Sequence, residues 1–599
     1  MAKLLPRALI NSINATLALR DYSISRVRNI LTREENDIYN AVFILMVLML
    51  GTKFTGLVFN SMSAGFLGAG PYNEFLFASN IPEIISASIL LGAISASIIP
   101  ALVQSREEAG HGSFLRVFNT LVNISFIVFA LLAGVIAIFA DAFLPWAIDN
   151  LIHPVTPPTA EELDRIVTML RVLMIPQVIL GISTYISSSL NVMQRFVVPQ
   201  LAPLFYNFGR ILSILVFIPI LGRSPWVLVW GTLLGSIFHL LIQIPLARNL
   251  GIKYMPILDF KDKYFKSLLK LGLPRILGLS AEQVAIGVDR IIAYGLVGYS
   301  LTAYELGVRL IVIPISLFGM TFATASFPLL SKAYVHGDTS TFQKIFIKVL
   351  NQIVFLSLPV TVLLLVLRLP ITRLFYGIFG NHFTWDYTRL VAWVVMFFAV
   401  GLTFEALRSL LYRTYYAVHN SLIPLLSAIF VVVGGVITGI LFTNYFSHFH
   451  ELSVFDLEFN PEYFLTKSDG IAGVGGLALS GSLIYIVETL FLLLYLNHKY
   501  LKIKIKDFVL PLFKKFFISG MTLFLAYFLY TFYNDILDTS RTSQIFFLTT
   551  TTVVASMAFY FLLSYELKVE EVEIVDKMAS KIYRTYKATM KLFKNSPTK

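Results

Sequence analysis

The residues best able to do chemistry in this sequence are ionisable side chains lodged inside long apolar runs. Lys53, Glu83, Arg210, His239, Glu282, Asp289, Arg290, Glu305, Arg309, Glu405, Arg408, Arg413 and Glu488 all fall there. A charge at the centre of a membrane helix costs about 2.5–3.5 kcal/mol on insertion scales, so each needs a partner or a wet cavity. Lys53 and Glu83, on the first two runs, form a candidate cavity charge pair; the alternative is a structural pair that fixes two helices. Asp289 and Arg290 are adjacent, so on a helix they address different neighbours. Glu305 and Arg309 have the i,i+4 spacing of a local ion pair. Arg413 lies near the inner end of its run and can snorkel. Glu488 has no partner legible in the sequence. Arg210 and His239 read as helix-packing polar residues or as functional ones.

Enzymatic chemistry is not spelled out. There is no nucleophile–base constellation and no cluster with metal-ligand spacing. Cysteine is absent, and of nine histidines only His448 and His450 lie close together. Gly68-Ala69-Gly70 lacks the lysine of a phosphate-binding loop and reads as a tight outer turn. The expectation is a transporter and not an enzyme, with no metal and no cofactor.

The elements that carry these charges follow from composition. The 599 residues are 57% hydrophobic and only 14% charged, against about 25% charged in soluble domains. The apolar residues come in long runs, as a bilayer solvent demands. At about 20 residues per crossing, the chain reads as an all-α integral membrane protein with about fourteen spans: 39–66, 75–102, 115–143, 166–192, 198–221, 226–247, 273–297, 302–331, 343–367, 388–416, 421–443, 471–496, 509–533 and 543–565. The first two are rich in Gly, Ser and Asn, which suits close packing or a cavity wall. The net charge of +12 sits between the runs, so it reads as positive-inside bias and not as a nucleic-acid surface.

Loop charges set the expected sidedness. The loops after the second, sixth, eighth and twelfth spans and the C-terminal tail are basic. Those after the third (Glu161, Glu162, Asp164) and eleventh (Glu451, Asp456, Glu458, Glu462, Asp469) are acidic. Both termini are therefore expected to be cytoplasmic. Trp146, Trp226, Trp230, Trp385 and Trp393 fall near expected outer ends, where indole favours the interface. Residues 1–36 hold no signal-peptide pattern and six basic residues. They read as an amphipathic segment on anionic lipid or as a disordered tail. Lys261–Lys270 is a short basic amphipathic stretch expected on the inner surface.

The organisation read from these patterns is two six-helix lobes plus two extra C-terminal helices. It comprises a cytoplasmic extension (1–38), an N-lobe of spans 1–6 (39–247), and a cytoplasmic amphipathic linker (248–271). A C-lobe of spans 7–12 (272–497), spans 13–14 (498–565) and a basic cytoplasmic tail (566–599) follow. The lobes look related. A shift of 228 residues superposes Pro100 on Pro328, Leu102 on Leu330, Phe114 on Phe342, Phe118 on Phe346 and Asn123 on Asn351. Repeats of equal orientation are a transporter plan with the substrate site between halves.

Three stretches resemble the MurJ/MviN family of lipid II flippases, within the multidrug/oligosaccharidyl-lipid/polysaccharide exporter superfamily. They are Leu67-Gly68-Ala69-Gly70 with Asn73-Glu74-Phe75, Ile81-Pro82 and Gly92-Ala93 up to Pro100; Val288-Asp289-Arg290 through Tyr304, Arg309-Leu310, Pro314, Gly319 and Phe327–Ser331; and Gly473–Ser480. The chain also departs from the family's pattern. Lys53 keeps the first basic position of the first-helix motif, but Phe59 and Asn60 stand where the family carries an Arg-Asp pair, and Ile85-Ser86-Ala87 replaces a second-helix arginine pair.

The resemblance implies a flippase for a polyprenyl-diphosphate-linked peptidoglycan precursor, lipid II, acting by alternating access in the bacterial cytoplasmic membrane. Its implied partners are that glycolipid, anionic membrane lipids and cell-wall synthesis proteins. It gives the Arg309 position a diphosphate-binding role. Lys53, Glu83, Arg309 and Glu305 are the expected substrate-binding residues, and Asp289, Arg290 and Glu74 the cavity or coupling residues. The expected cation partner of Asp289 replaces a sodium site, because the span at 421–443 has no Asp and Asn444 is expected beyond its helix. A flippase for another lipid-linked oligosaccharide, of O-antigen or capsule type, and a transport-inactive scaffold remain open as alternatives.

Overall fold

The computed structural model describes residues 38–93, 98–455, 457–502 and 504–573, and at 267–282 and 505–509, among others, the backbone alone. The expected 1–38 extension and 566–599 tail lie almost wholly outside the described residues, as does the Glu282 side chain. The helices are α1 Ile38–Met62, α2 Ala69–Ala93, α3 Ile99–Ala147, α4 Ala160–Val192, α5 Val197–Leu221, α6 Trp226–Leu241, α7 Ile244–Asn249, α8 Lys263–Tyr294, α9 Ser300–Pro314, α10 Thr321–Val335, α11 Thr339–Val366, α12 Arg368–Tyr376, α13 Trp385–Ala417, α14 Leu422–Phe446, α15 Gly473–Leu496, α16 Ile505–Ile536 and α17 Thr542–Glu566. Among the described residues, eleven helices or continuous helical stretches are long and apolar enough to cross a membrane. The three other expected spans overlap α1, α2 and α8. Phe126, Leu131 and Ile138 on α3, and Leu425, Ile429 and Val433 on α14, are exposed. Such apolar outer faces are stable only where lipid replaces water. The chain is an all-α, multi-pass membrane protein.

Several elements are interrupted where the backbone chemistry allows it. Gly110 lies at φ +77° inside α3 and breaks it into two helical segments. Gly68, at φ +87°, forms the turn between α1 and α2, as the sequence suggested. Of the stretch expected along the inner surface, Lys261–Lys270, the part from Lys263 is the start of the 32-residue helix α8. Tyr264 and Phe265 are buried in a core with Phe114, Phe118 and Tyr185.

The described chain divides into two compact units. The first holds the residues up to His153 and Pro157–Gly287; the second holds Pro154–Thr156 and the residues from Val288 on. In the first unit, α1 and α5 pack in parallel. Asn207 donates to the Thr52 carbonyl (3.0 Å) and the Thr55 hydroxyl (3.2 Å). Then α5 and α6 meet backbone to backbone: a Cβ on Gly209 would lie 2.7 Å from the Gly235 Cα. Small residues buy this close approach in a setting where lipid offers no hydrophobic drive. The segment after α7 is pinned to α3. Asn119 donates to the Lys253 carbonyl (3.0 Å), and Asn123 to the carbonyls of Met255 (3.0 Å) and Ile257 (2.9 Å).

In the second unit α13 is the central helix. Gly307 of α9 packs on Val394, Gly319 on Ala406, and Gly401 on Ser482 of α15. The glycine run that opens α15 has the same logic. A Cβ at Gly475 would strike the Trp393 indole, and one at Gly476 the Phe442 carbonyl. Trp393 is accordingly a buried core residue that donates to the Ala472 carbonyl (3.1 Å), and not an interfacial anchor as expected. Asn351 accepts from Lys515 (2.8 Å) on α16.

Candidate functional site

A cluster of intramembrane charges lies in the second unit, where α8 turns into α9. Helix α9 begins at Ser300 and presents Tyr304, Glu305 and Arg309 within three turns. Glu305 is buried and uses both carboxylate oxygens. Oε1 accepts from Arg290 Nε at 2.5 Å, and Oε2 from Arg309 Nη2 at 3.0 Å. The Arg290 side chain is 9% exposed and that of Glu305 4%, but that of Arg309 is 46% exposed. Two guanidiniums thus share one carboxylate, and the outer one carries the positive charge to the surface.

Asp289 sits beside this triad. Its Oδ2 accepts from the Tyr304 hydroxyl at 3.1 Å. The expected cation partner is therefore corrected: among the described residues Asp289 pairs with a neutral phenol. As adjacent helical residues, Asp289 and Arg290 do address different side chains, and both partners lie on α9. The Tyr304 ring is in turn held edge-on by Phe398 of α13, at 5.5 Å between centroids.

The other expected site residues lie in the first unit. Lys53 is exposed on α1 and Glu83 half-buried on α2. Glu74, expected to be a cavity or coupling residue, is locked in a two-pronged ion pair. Arg165 of α4 donates Nε to its Oε2 at 2.7 Å and Nη2 to its Oε1 at 3.0 Å. That geometry uses the planar fork of arginine fully and ties α2 to α4. Arg165 was missed because nothing in one sequence pairs residues 91 positions apart.

Two further polar nodes were only half legible. Glu488 of α15, without a readable partner, accepts on Oε1 from Tyr412 (2.6 Å) and Ser427 (2.5 Å), and Arg408 lies 3.8 Å from Oε2. His239 shares a 2.7 Å hydrogen bond with Ser183, which Gln243 also bonds at 2.8 Å. Asn444, expected beyond its helix, lies in the last turn of α14 and donates to the Phe464 carbonyl (3.4 Å). Among the described residues no group of three His, Cys, Asp or Glu could hold a metal ion.

A multi-pass helical chain with arginines and carboxylates clustered inside its spans belongs to the class of membrane transporters. Its fold matches solved transporters. One is "Lipid II flippase MurJ, inward closed conformation", with a TM-score of 0.67 and 21% identity over 88% of this chain and 99% of that one. Another is an inward-facing multidrug resistance MATE family transporter of the MOP superfamily, at 0.58 and 16% over 76% and 98%.

Residues 63–450 match the family described as lipid II flippase MurJ, and the chain belongs to the MurJ family. Among its relatives, the probable lipid II flippase MurJ of Buchnera aphidicola subsp. Acyrthosiphon pisum is 23% identical over 403 residues, 67% of this chain and 78% of that protein. The lipid II flippase MurJ of Burkholderia cenocepacia is 23% identical over 419 residues, 69% and 80% of the two chains.

Proposed function

We propose that this protein flips lipid II, a polyprenyl-diphosphate-linked peptidoglycan precursor, from the inner to the outer leaflet by alternating access, with Arg309 as a headgroup anchor. The observation that carries the reading is the asymmetry of the triad. Glu305 and Arg290 are buried against each other, while Arg309 extends from the same carboxylate to an exposed position. A guanidinium held in this way keeps its charge when partly desolvated, and its planar fork suits two phosphate oxygens at once. A local i,i+4 pair contributes only about 0.3–0.5 kcal/mol, which alone is weak reason to carry an arginine into the bilayer. Family membership supports the substrate class. Lys53 and Glu83, of the first unit, are proposed as further headgroup-binding residues.

On this reading the protein lies in the bacterial cytoplasmic membrane with both termini cytoplasmic. The basic extension and tail are held to anionic lipid, within reach of the cell-wall synthesis proteins that use the product. A tag at Lys599 and a tag in the 452–462 loop should then lie on opposite sides of the membrane. Equal protease access to both in intact spheroplasts would refute that topology. The function itself is tested by complementation. Expression should rescue growth of a strain depleted of its own lipid II flippase, and Arg309→Ala should not. Rescue by neither, with normal membrane insertion of both, would exclude lipid II and favour another lipid-linked oligosaccharide.

A further inference from the structure

Arg210 is an intramembrane arginine outside the triad and the ion pairs above. It is the fourteenth residue of the 25-residue helix α5, and so lies near mid-span. Among the described residues it has no carboxylate partner, and its Nε is buried without a hydrogen bond. Its guanidinium lies over the face of Phe59 at 3.5 Å from the ring centroid, with Tyr206 at 5.2 Å.

The surroundings are shaped for this side chain. Parallel packing of α1 and α5 sets Leu204 on Gly51, Asn207 on Thr52 and Thr55, and Arg210 on Phe59, one turn at a time. On the other flank the stem crosses α6 at its glycines. A Cβ on Gly235 would lie 3.2 Å from the Arg210 Cγ, and one on Gly231 3.5 Å from its Cα. Phe59 is wholly buried, so it is a fixed platform. The aromatic face attracts the cation and fixes its plane, but carries no net charge to neutralise it. The guanidinium presents five N–H donors and no acceptor, and it does not deprotonate in proteins. Among the described residues this permanent mid-span cation, positioned flat, has no counter-charge, which suits it to an anionic ligand.

We propose that Arg210, braced by Phe59, binds the phosphate groups of the transported lipid in the first unit. The assignment rests on the flippase reading for its ligand and adds a residue to it. It also gives Phe59 a purpose: the ring orients a guanidinium supplied by the neighbouring helix.

The test uses the full chain in phosphatidylcholine nanodiscs, titrated with farnesyl diphosphate as the probe. Wild type should bind, and Arg210→Gln should weaken binding at least tenfold. Arg210→Lys should fall between them, because it keeps the charge and loses the fork. Phe59→Leu should weaken binding less than Arg210→Gln. Unchanged affinity in a folded Arg210→Gln protein would reduce the stack to packing and overturn the proposal. If that variant does not fold, Arg210→Lys decides, and wild-type affinity there counts against the fork. Competition by phosphatidylglycerol at bilayer mole fractions, lost in Arg210→Lys, would reassign the site to ordinary anionic lipid. A wild type that binds the probe through Arg210 but does not flip lipid II would defeat the flippase reading and leave the anion site standing. Normal flipping by Arg210→Gln would do the reverse.

Discussion

Arg290 and Glu305 meet at 2.5 Å across the turn between α8 and α9, and both are almost wholly buried. Glu305 therefore does more than neutralise Arg309. Removing one member of a buried pair leaves an uncompensated charge, at a cost of about 3–5 kcal/mol. Arg290→Met and Glu305→Gln should both lower the thermal unfolding temperature of the purified protein markedly, whereas Arg309→Ala, half exposed, should change it little. Equal losses in all three would show that the triad is a single structural unit with no outward member.

Tyr412 and Ser427 bond the same oxygen of Glu488, from two different helices. Groups that share a partner couple energetically, by about 0.5–3 kcal/mol. In a double-mutant cycle on unfolding, Tyr412→Phe and Ser427→Ala should be non-additive. Strict additivity would mean that Glu488 is not the common acceptor.

Lys515 is buried on α16 and bonded to Glu571 (3.1 Å) and Asn351 (2.8 Å), which holds the segment after α17 against α11. Glu571→Gln should destabilise by about 3–5 kcal/mol, and Lys515→Met combined with Glu571→Leu should recover much of it, because an apolar pair carries no desolvation cost. If the double variant is the less stable, the latch depends on its charge and not on burial.

Asp289 has a phenol for a partner, and hard cations need about six oxygen ligands. No tight sodium site is expected there. Sodium-dependent thermal stabilisation that disappears in Asp289→Asn would overturn this.

The spans were legible in the sequence because bilayer thickness and apolar run length are the same information. The run 198–221 falls within Val197–Leu221, and 388–416 within Trp385–Ala417. Local charge geometry was legible too: the Glu305–Arg309 spacing predicts the bond that exists. What composition could not supply is which helices touch. The partners of Glu74, Asp289 and Glu488 stand on other helices, and a stripe pattern states only that a partner is needed. The buried Trp393 shows the same limit, since position along a helix predicts depth but not whether a side chain faces lipid or core. Arg210 was read as a packing residue or a functional one; its stack on Phe59 depends on the parallel register of α1 and α5, which no single-helix pattern encodes.

The central claim is that Arg309 anchors a diphosphate headgroup during transport. It is tested most directly by reconstituting wild type and Arg309→Ala into liposomes loaded with lipid II and measuring the headgroup reaching the opposite leaflet. Loss of a charge-assisted contact to a partly buried anion costs about 2–5 kcal/mol, so flipping should fall at least about tenfold, with the unfolding temperature little changed. Wild-type flipping by Arg309→Ala would contradict the account.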